Sequence, residues 1–427
     1  MTLNDQTYTY YLAVLKKELI SATGCTEPIA IALASAKAKE ILGQMPTKVV
    51  VEVSENIIKN AKSVVVPNTD QLKGIDVAAS AGIVVGKSIK QLDVISEVTA
   101  AQKVEIKTYA ANTDITIKRL HTEYIFDVQI TVYAKSDVAQ VRMINHHTNI
   151  VYIRKNDDLL LAKDYVHDDP VNDSHKDDLT VDAIYDFAQM VKIRDVKALL
   201  DAQIKNNMAI AQEGLDYNYG ANIGSVIKKH YGEDIKHIAK AYAAAASDAR
   251  MSGSKLPVTI VSGSGNQGIT SSVPVIKYAA YLDVSDDTLY RALVLSNLLT
   301  IHQKAGIGKL SAYCGAVFAG ASSGAAITYL HGGSLNMIKH TIVNTLAIVS
   351  GIICDGAKPS CAAKIASSVE AGILAHHMVL EGEEFLGGDG IIAKGIENTL
   401  KNITRLAKDG MRETDQEIVS IMTGKAR

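Results

Sequence analysis

The chain has no tryptophan, four phenylalanines, four cysteines and seven prolines in 427 residues. Four cysteines are too few to staple a chain of this length. That excludes a disulfide scaffold and makes a reducing cytoplasm the expected compartment. Free thiols there are core residues, nucleophiles or metal ligands. The N-terminal MTLNDQTYTYY has no basic stretch followed by an apolar one, so no secretion signal is expected. Charge of one sign is also missing. A net charge of −2 argues against nucleic acid or an anionic membrane as the main partner. Residues 310–338 contain no Asp, Glu, Lys or Arg, but they hold five Gly, four Ser and a His. Without a continuous run of large apolar side chains, this stretch reads as a buried, closely packed helix followed by a turn, not a membrane span.

What is present is 47% hydrophobic and 21% charged residues, enough for two or three domains of ordinary size. Residues 7–20 and 27–42 carry helical patterns. The period then changes. Residues 48–54, 63–66, 114–120, 124–134, 138–146 and 150–155 are rich in β-branched side chains and predict strands, with a helix over 75–87. The charged segment 163–178, KDYVHDDPVNDSHKDD, reads as a linker. Beyond it helices are predicted over 179–192, 195–214, 217–229, 233–251, 286–303, 309–330, 335–353, 359–380, 391–407 and 411–423. No internal repeat stands out. The expected fold is α+β, with N-terminal helices over 1–45, a strand-rich α/β domain over 46–165 and a larger helical domain over 179–427.

Cys354 and Cys361 bound the segment CDGAKPSC. Asp355-Gly356 suits a helix stop, and Pro359-Ser360 suits the start of the next helix. One cysteine is therefore expected at a helix C-terminus and the other in the first turn of its successor, whose N-terminus favours the negative charge of a thiolate. Cys314 would complete such a site from another helix. The spacing is neither a CxxC zinc pair nor a ferredoxin run, so three core cysteines fit it as well as three ligands. Cys25 stands in GCTEP at 24–28, just before a predicted helix. There its pKa is expected below the usual ~8.5. A small residue that lets the helix pack is the equal alternative.

The glycines of SGSGNQG at 262–268 let successive backbone N–H groups face an anion, a carboxylate or a phosphate. An ordinary tight turn is the other reading. The histidine pairs His146-His147 and His376-His377 cannot face one metal from a regular element, and read as surface or packing features.

Together these segments resemble the L-cysteine desulfidase family, also described as serine dehydratase alpha-like proteins. The resemblance runs along nearly the whole chain. It is carried by GCTEP, SENIIKNAKSVVVPNT at 54–69, SGSGNQGITSSVPV at 262–275, the neighbourhood of Cys314, and CDGAKPSC. It implies a [4Fe–4S] cluster held by Cys314, Cys354 and Cys361, with Cys25 as the catalytic base or acid. The cluster-containing bacterial L-serine dehydratases are more distant relatives, with a longer loop between their second and third cysteines.

The resemblance implies that L-cysteine loses sulfide to give pyruvate and ammonia, one open iron supplying a Lewis acid. Cys25 as a thiolate is the expected base. Asn266 and Gln267 are the expected clamp for the substrate carboxylate, with Lys309 or Lys358 adding charge. A small amino acid is then the partner, and a homo-oligomer is compatible. Three rivals remain: L-serine dehydration by the same machinery, a non-enzymatic iron–sulfur sensor, and a pyridoxal-phosphate enzyme. Against the last, neither Lys240 in KHIAKAYA nor Lys255 in GSKLPV stands in a Schiff-base context such as SFKxRG.

Overall fold

The structure is a computed structural model that describes residues 5–124, 126–163, 179–307 and 311–423. The chain opens with α1 (Asp5–Glu18), the short strand β1 (Ile20–Thr23) and α2 (Thr26–Leu42). β2 (Lys48–Val53), α3 (Glu55–Ala61), α4 (Ile75–Val85) and α5 (Ala100–Asn112) follow. Five strands come next: β3 (Asp114–Arg119), β4 (Asp127–Ala134), β5 (Asp137–Ile144), β6 (Ile150–Lys155) and β7 (Asp158–Ala162). After residue 179 the order is α6 (Val181–Met190), α7 (Ile193–Asp216), α8 (Ile223–Tyr231), α9 (Ile235–Met251), β8 (Pro257–Ile260), α10 (Gly265–Tyr281) and α11 (Asp286–Ala305). α12 (Gly315–Leu330), α13 (Leu335–Val349), α14 (Cys361–Leu380), α15 (Ile396–Arg405) and α16 (Arg412–Thr423) complete it. The α+β class read from the sequence is the observed one.

The main sheet has the order β3-β2-β4-β5-β6-β7, with β2 and β3 parallel and every other pair antiparallel. Its centre is built from β-branched runs such as KVVVEV and DVQITVYA, whose valines and isoleucines are buried. In the helical part α12 is central, surrounded by α10, α11, α13 and α14. It is buried from Ala316 through Thr328, which accounts for the charge-free stretch in the sequence. Among the described residues, no helix is long and apolar enough to cross a membrane.

Residues 5–42 stitch the two parts together. α1 packs on α7 and α11, with Tyr8 Oη donating to Asp195 at 2.8 Å. β1 pairs antiparallel with β8, from Ile20↔Ile260 to Thr23↔Pro257. α2 then crosses to the sheet and packs on α4, β4 and β5. Cys25 lies where the chain passes from one part to the other.

Several elements depart from the sequence reading. The expected strand over 63–66 is a single bridge, Val65↔Lys73, because Pro67 and the left-handed Asn68 turn the chain at once. β1 replaces the end of the helix predicted over 7–20, where Ile20 and Thr23 favour extended chain and β8 offers a partner. The predicted helix over 335–353 ends at Val349, two residues before Gly351. α3, α5, α10 and β7 add to the predicted set. Most of the segment read as a linker, residues 164–178, lies outside the described residues.

Candidate active site

Three of the four cysteines stand at the starts of helices. Cys25 is the N-cap of α2, Cys314 the N-cap of α12, and Cys361 the first residue of α14. The sequence reading had Cys314 inside a helix and Cys354 at a helix end, and both placements need correction. With α13 stopped at Val349, residues 352–354 are extended and pair with residues 312–314. The Cys314 N–H donates to the Ile352 carbonyl at 3.0 Å and the Cys354 N–H to the Ala312 carbonyl at 2.6 Å. This backbone bridge brings together two cysteines that lie 40 positions apart in the sequence.

The loop from Cys354 to Cys361 is fixed from within and from below. Asp355 takes ion pairs from Lys358 and Lys364, and Lys364 Nζ also donates to the Ile353 carbonyl at 2.8 Å. Gly356 has φ +95 and lies against the Lys59 carbonyl, so a side chain there meets both strain and backbone. Lys59 itself is buried; it pairs with Asp415 on α16 and donates to the Ser311 carbonyl at 3.5 Å. The SENIIKNAK segment thus supports the loops that carry Cys314 and Cys354.

All four cysteines line one cavity of about 110 Å³, together with Asn266 and Gln267. That volume is well below the ~300–1,000 Å³ of pockets for drug-sized ligands, so it suits a small solute. Gln267 is buried and its Oε1 has no hydrogen-bond partner among the described residues. Asn266 is already occupied: its Oδ1 accepts from Arg250 Nη1 at 3.1 Å and from Ser247 Oγ at 3.3 Å. Lys358 points at its own loop, donating to the Asp355 carbonyl at 3.0 Å. Lys309 lies outside the described residues.

Four further residues face the same cavity and were not singled out by the sequence: Glu27, His147, Arg250 and Lys304. Glu27, two residues after Cys25 in GCTEP, stands only at the start of a predicted helix in the sequence. His147 packs edge-on to Phe126 at 4.8 Å, so the packing reading of this histidine misses its place at the site. Arg250 had a signal of a kind, since a charged pair, Asp248 and Arg250, interrupts the apolar run AYAAAASDARM.

The electrostatics correct the expectation for Cys25. Its thiol is buried and donates to Glu27 Oε2 at 3.0 Å. Burial, with the Glu27 carboxylate beside it, pushes the thiol well above its ordinary value, against a smaller opposing pull from Arg250. The helix start does not outweigh these, so Cys25 is a protonated thiol here. Burial and the neighbouring Cys354 push Cys314 up to about 12. Burial raises Cys361 as well, with Cys354 adding to it. Burial pulls Lys304 down to about 8.

The three thiols at 314, 354 and 361 are within electrostatic reach of one another, and burial resists the ionisation of Cys314 and Cys361. A bound cationic centre reverses that balance, because metal deprotonates a coordinating thiol. Among the described residues, no three His, Cys, Asp or Glu side chains converge to hold a single ion. A cubane cluster takes one thiolate at each iron. Its three ligands stand at separate corners and need not meet at a point. Three thiols on one cavity are donors of the kind such a cluster takes.

A family model described as serine dehydratase alpha chain matches residues 89–420. The chain belongs to the serine dehydratase alpha chain family. This match includes the helical part with Cys314, Cys354 and Cys361, and membership points to a lyase-type enzyme. The chain is also similar over nearly its whole length to proteins named UPF0597. One from Desulfitobacterium hafniense is 57% identical over 422 residues, covering 99% of this chain and 98% of that one. One from Lachnoclostridium phytofermentans is 50% identical over 415 residues, covering 97% and 99%. One from Fusobacterium nucleatum is 44% identical over 425 residues, covering 96% and 98%. The similarity to these proteins extends over the part before residue 89 as well, which in this chain holds Cys25.

Proposed function

We propose that this protein eliminates sulfide from L-cysteine, giving pyruvate, ammonia and sulfide, with a [4Fe–4S] cluster held by Cys314, Cys354 and Cys361. The observation that carries the reading is the convergence of four cysteines, one from the far N-terminus, on one small buried cavity. A cluster with three protein ligands would supply a Lewis-acidic iron for the leaving sulfur.

The chain's own residues manage the proton. In the elimination the Cα–H and Cβ–S bonds break, Cα=Cβ forms, and sulfide leaves with the electron pair. The released aminoacrylate tautomerises and is hydrolysed to pyruvate and ammonia. Cys25 and Glu27 share one proton along the Sγ–H···Oε2 bond. Passing it to Glu27 leaves a thiolate at the α2 N-terminus, which stabilises negative charge. That thiolate is the base for the Cα proton, a role typically worth ~10²–10⁴ in rate. Thr26 Oγ1, donating to Glu27 Oε2 at 3.0 Å, holds the carboxylate in place. Burial keeps water from the reacting atoms.

The family match favours a second substrate, L-serine, with water leaving in place of sulfide. Parallel assays of the anaerobically prepared enzyme separate the two. Sulfide release from L-cysteine at a kcat/KM at least tenfold above pyruvate formation from L-serine is expected. The reverse ratio makes the protein a serine dehydratase.

A further inference from the structure

Arg250 sits in a place that no internal partner explains. It lies at the end of α9, is 3% exposed and lines the cysteine cavity. Its Nη1 donates to Asn266 Oδ1, while its buried Nε has no acceptor among the described residues. Among the described residues no carboxylate pairs with it; Glu27, which faces the same cavity, accepts instead from Cys25 and Thr26.

The guanidinium also lies against Gly265, the first residue of α10. A cation at a helix N-terminus opposes the helix dipole, which favours anions there. A buried charge without a partner is costly. The arrangement is unfavourable on both counts until an anion enters, and then both become attractive. A planar guanidinium with an unpartnered Nε–H, beside a helix N-terminus, is suited to a carboxylate.

We infer that Arg250 is the anchor for the substrate α-carboxylate, and that Asn266 positions Arg250 in place of gripping the substrate itself. This rests on the proposed elimination from an amino acid. Arg250 and Cys25 line the same small cavity. A carboxylate held on the guanidinium therefore brings the adjoining Cα–H into the cavity that the Cys25 thiol faces. The site then requires a free α-carboxylate.

The test is binding by calorimetry to the anaerobic, cluster-loaded protein. The probes are L-cysteine, 3-mercaptopropionate, which lacks the amine, and cysteamine, which lacks the carboxylate. Arg250→Gln is expected to weaken L-cysteine and 3-mercaptopropionate by ~10–100-fold, the range for one charge-assisted hydrogen-bonded contact. Cysteamine affinity is expected to stay within twofold, and Arg250→Lys to recover part of the loss. Tm without ligand is expected to hold or rise, since the variant removes an uncompensated buried cation. Equal weakening of all three probes, or a large fall in Tm, assigns Arg250 to the scaffold and overturns the inference. Unchanged binding of the carboxylate probes overturns it too. The wild-type elimination assay judges the reaction itself separately. Sulfide release by wild type, with carboxylate binding insensitive to Arg250, removes the anchor and leaves the reaction standing.

Discussion

The sheet-bearing part and the helical part bury their interiors by different means. In the sheet, Val128, Ile130 and Val132 face buried partners, and the buried carboxylate Asp127 is satisfied by Arg142 through bonds of 3.0 and 2.6 Å. In the helical part, helices meet backbone to backbone. A methyl group on Gly320 would stand 2.5 Å from the Ser368 carbonyl, and one on Gly324 2.6 Å from that of Gly372. This interior also leaves charge and polarity uncompensated, at Asp248 Oδ1, Arg250 Nε and His376 Nε2. The sheet-bearing part has orphaned polar atoms too, at Ser35 Oγ, Asn56 Oδ1 and Arg154 Nε, and one close backbone contact of its own, Gly82 against Ala32. The helical part differs in leaving a buried carboxylate and a buried guanidinium incompletely bonded, at Asp248 and Arg250, and in carrying three of the four cysteines. The fourth, Cys25, begins the helix that packs on the sheet.

This contrast separates holding from reacting. Cys314→Ala, Cys354→Ala and Cys361→Ala are each expected to abolish both iron binding and turnover, read by iron content and sulfide release. Retention of full iron by any of them breaks the division. Cys25→Ser is expected to keep its iron and lose ~10²–10⁴ in kcat. Serine keeps the size, but its hydroxyl gives up a proton far less readily than the thiol does. Iron loss in that variant makes Cys25 a ligand.

Packing gives the next largest effect. Gly324→Ala drives a methyl group into the Gly372 backbone and is expected to cost ~1–3 kcal/mol or more in urea unfolding. Val132→Ile, which also adds one methylene but in the sheet part, is expected to cost less, because side chains can yield where backbone cannot. Equal costs would remove the distinction between the two interiors.

The smallest effect is in pH dependence. Burial pulls His376 down to about 3 in the folded state, below its ordinary 6.5. Its contribution to stability is present above about 6.5 and is lost as pH falls through the folded value. Burial raises Asp248 from 3.8 to about 6, so its contribution is present below about 3.8 and is lost as pH rises through about 6. The two slopes oppose each other between about pH 4 and 6. His376→Gln is expected to make stability fall with rising pH across that window, and Asp248→Asn to make it rise, each by ~1–2 kcal/mol. Parallel curves for wild type and both variants, from thermal unfolding, would contradict this.

Long periodic runs made much of the architecture legible. The β-branched strands gave the sheet, and the Ala- and Gly-rich stretches gave buried helices such as α12. Features set by distant partners were not legible. β1 is four residues long and extended only because it pairs with β8. Cys354 looked like a helix end because Asp355-Gly356 is a good stop signal, yet the bridge to residues 312–314 had already ended the helix. The SGSGNQG turn was visible, but α10 starting within it was not. At the site, the cysteines stood out by rarity. The Cys25 proton state did not, because it depends on burial and on Glu27, which no local pattern reports. Arg250 was hidden for a similar reason: only the fold puts it over Gly265.

The most direct test of the central claim is iron and acid-labile sulfide after anaerobic reconstitution, measured on wild type, Cys25→Ser and the triple variant Cys314→Ala/Cys354→Ala/Cys361→Ala. The account predicts about four irons and four sulfides per chain in the first two and essentially none in the third. A full cluster in the triple variant, or none in reconstituted wild type, would contradict it.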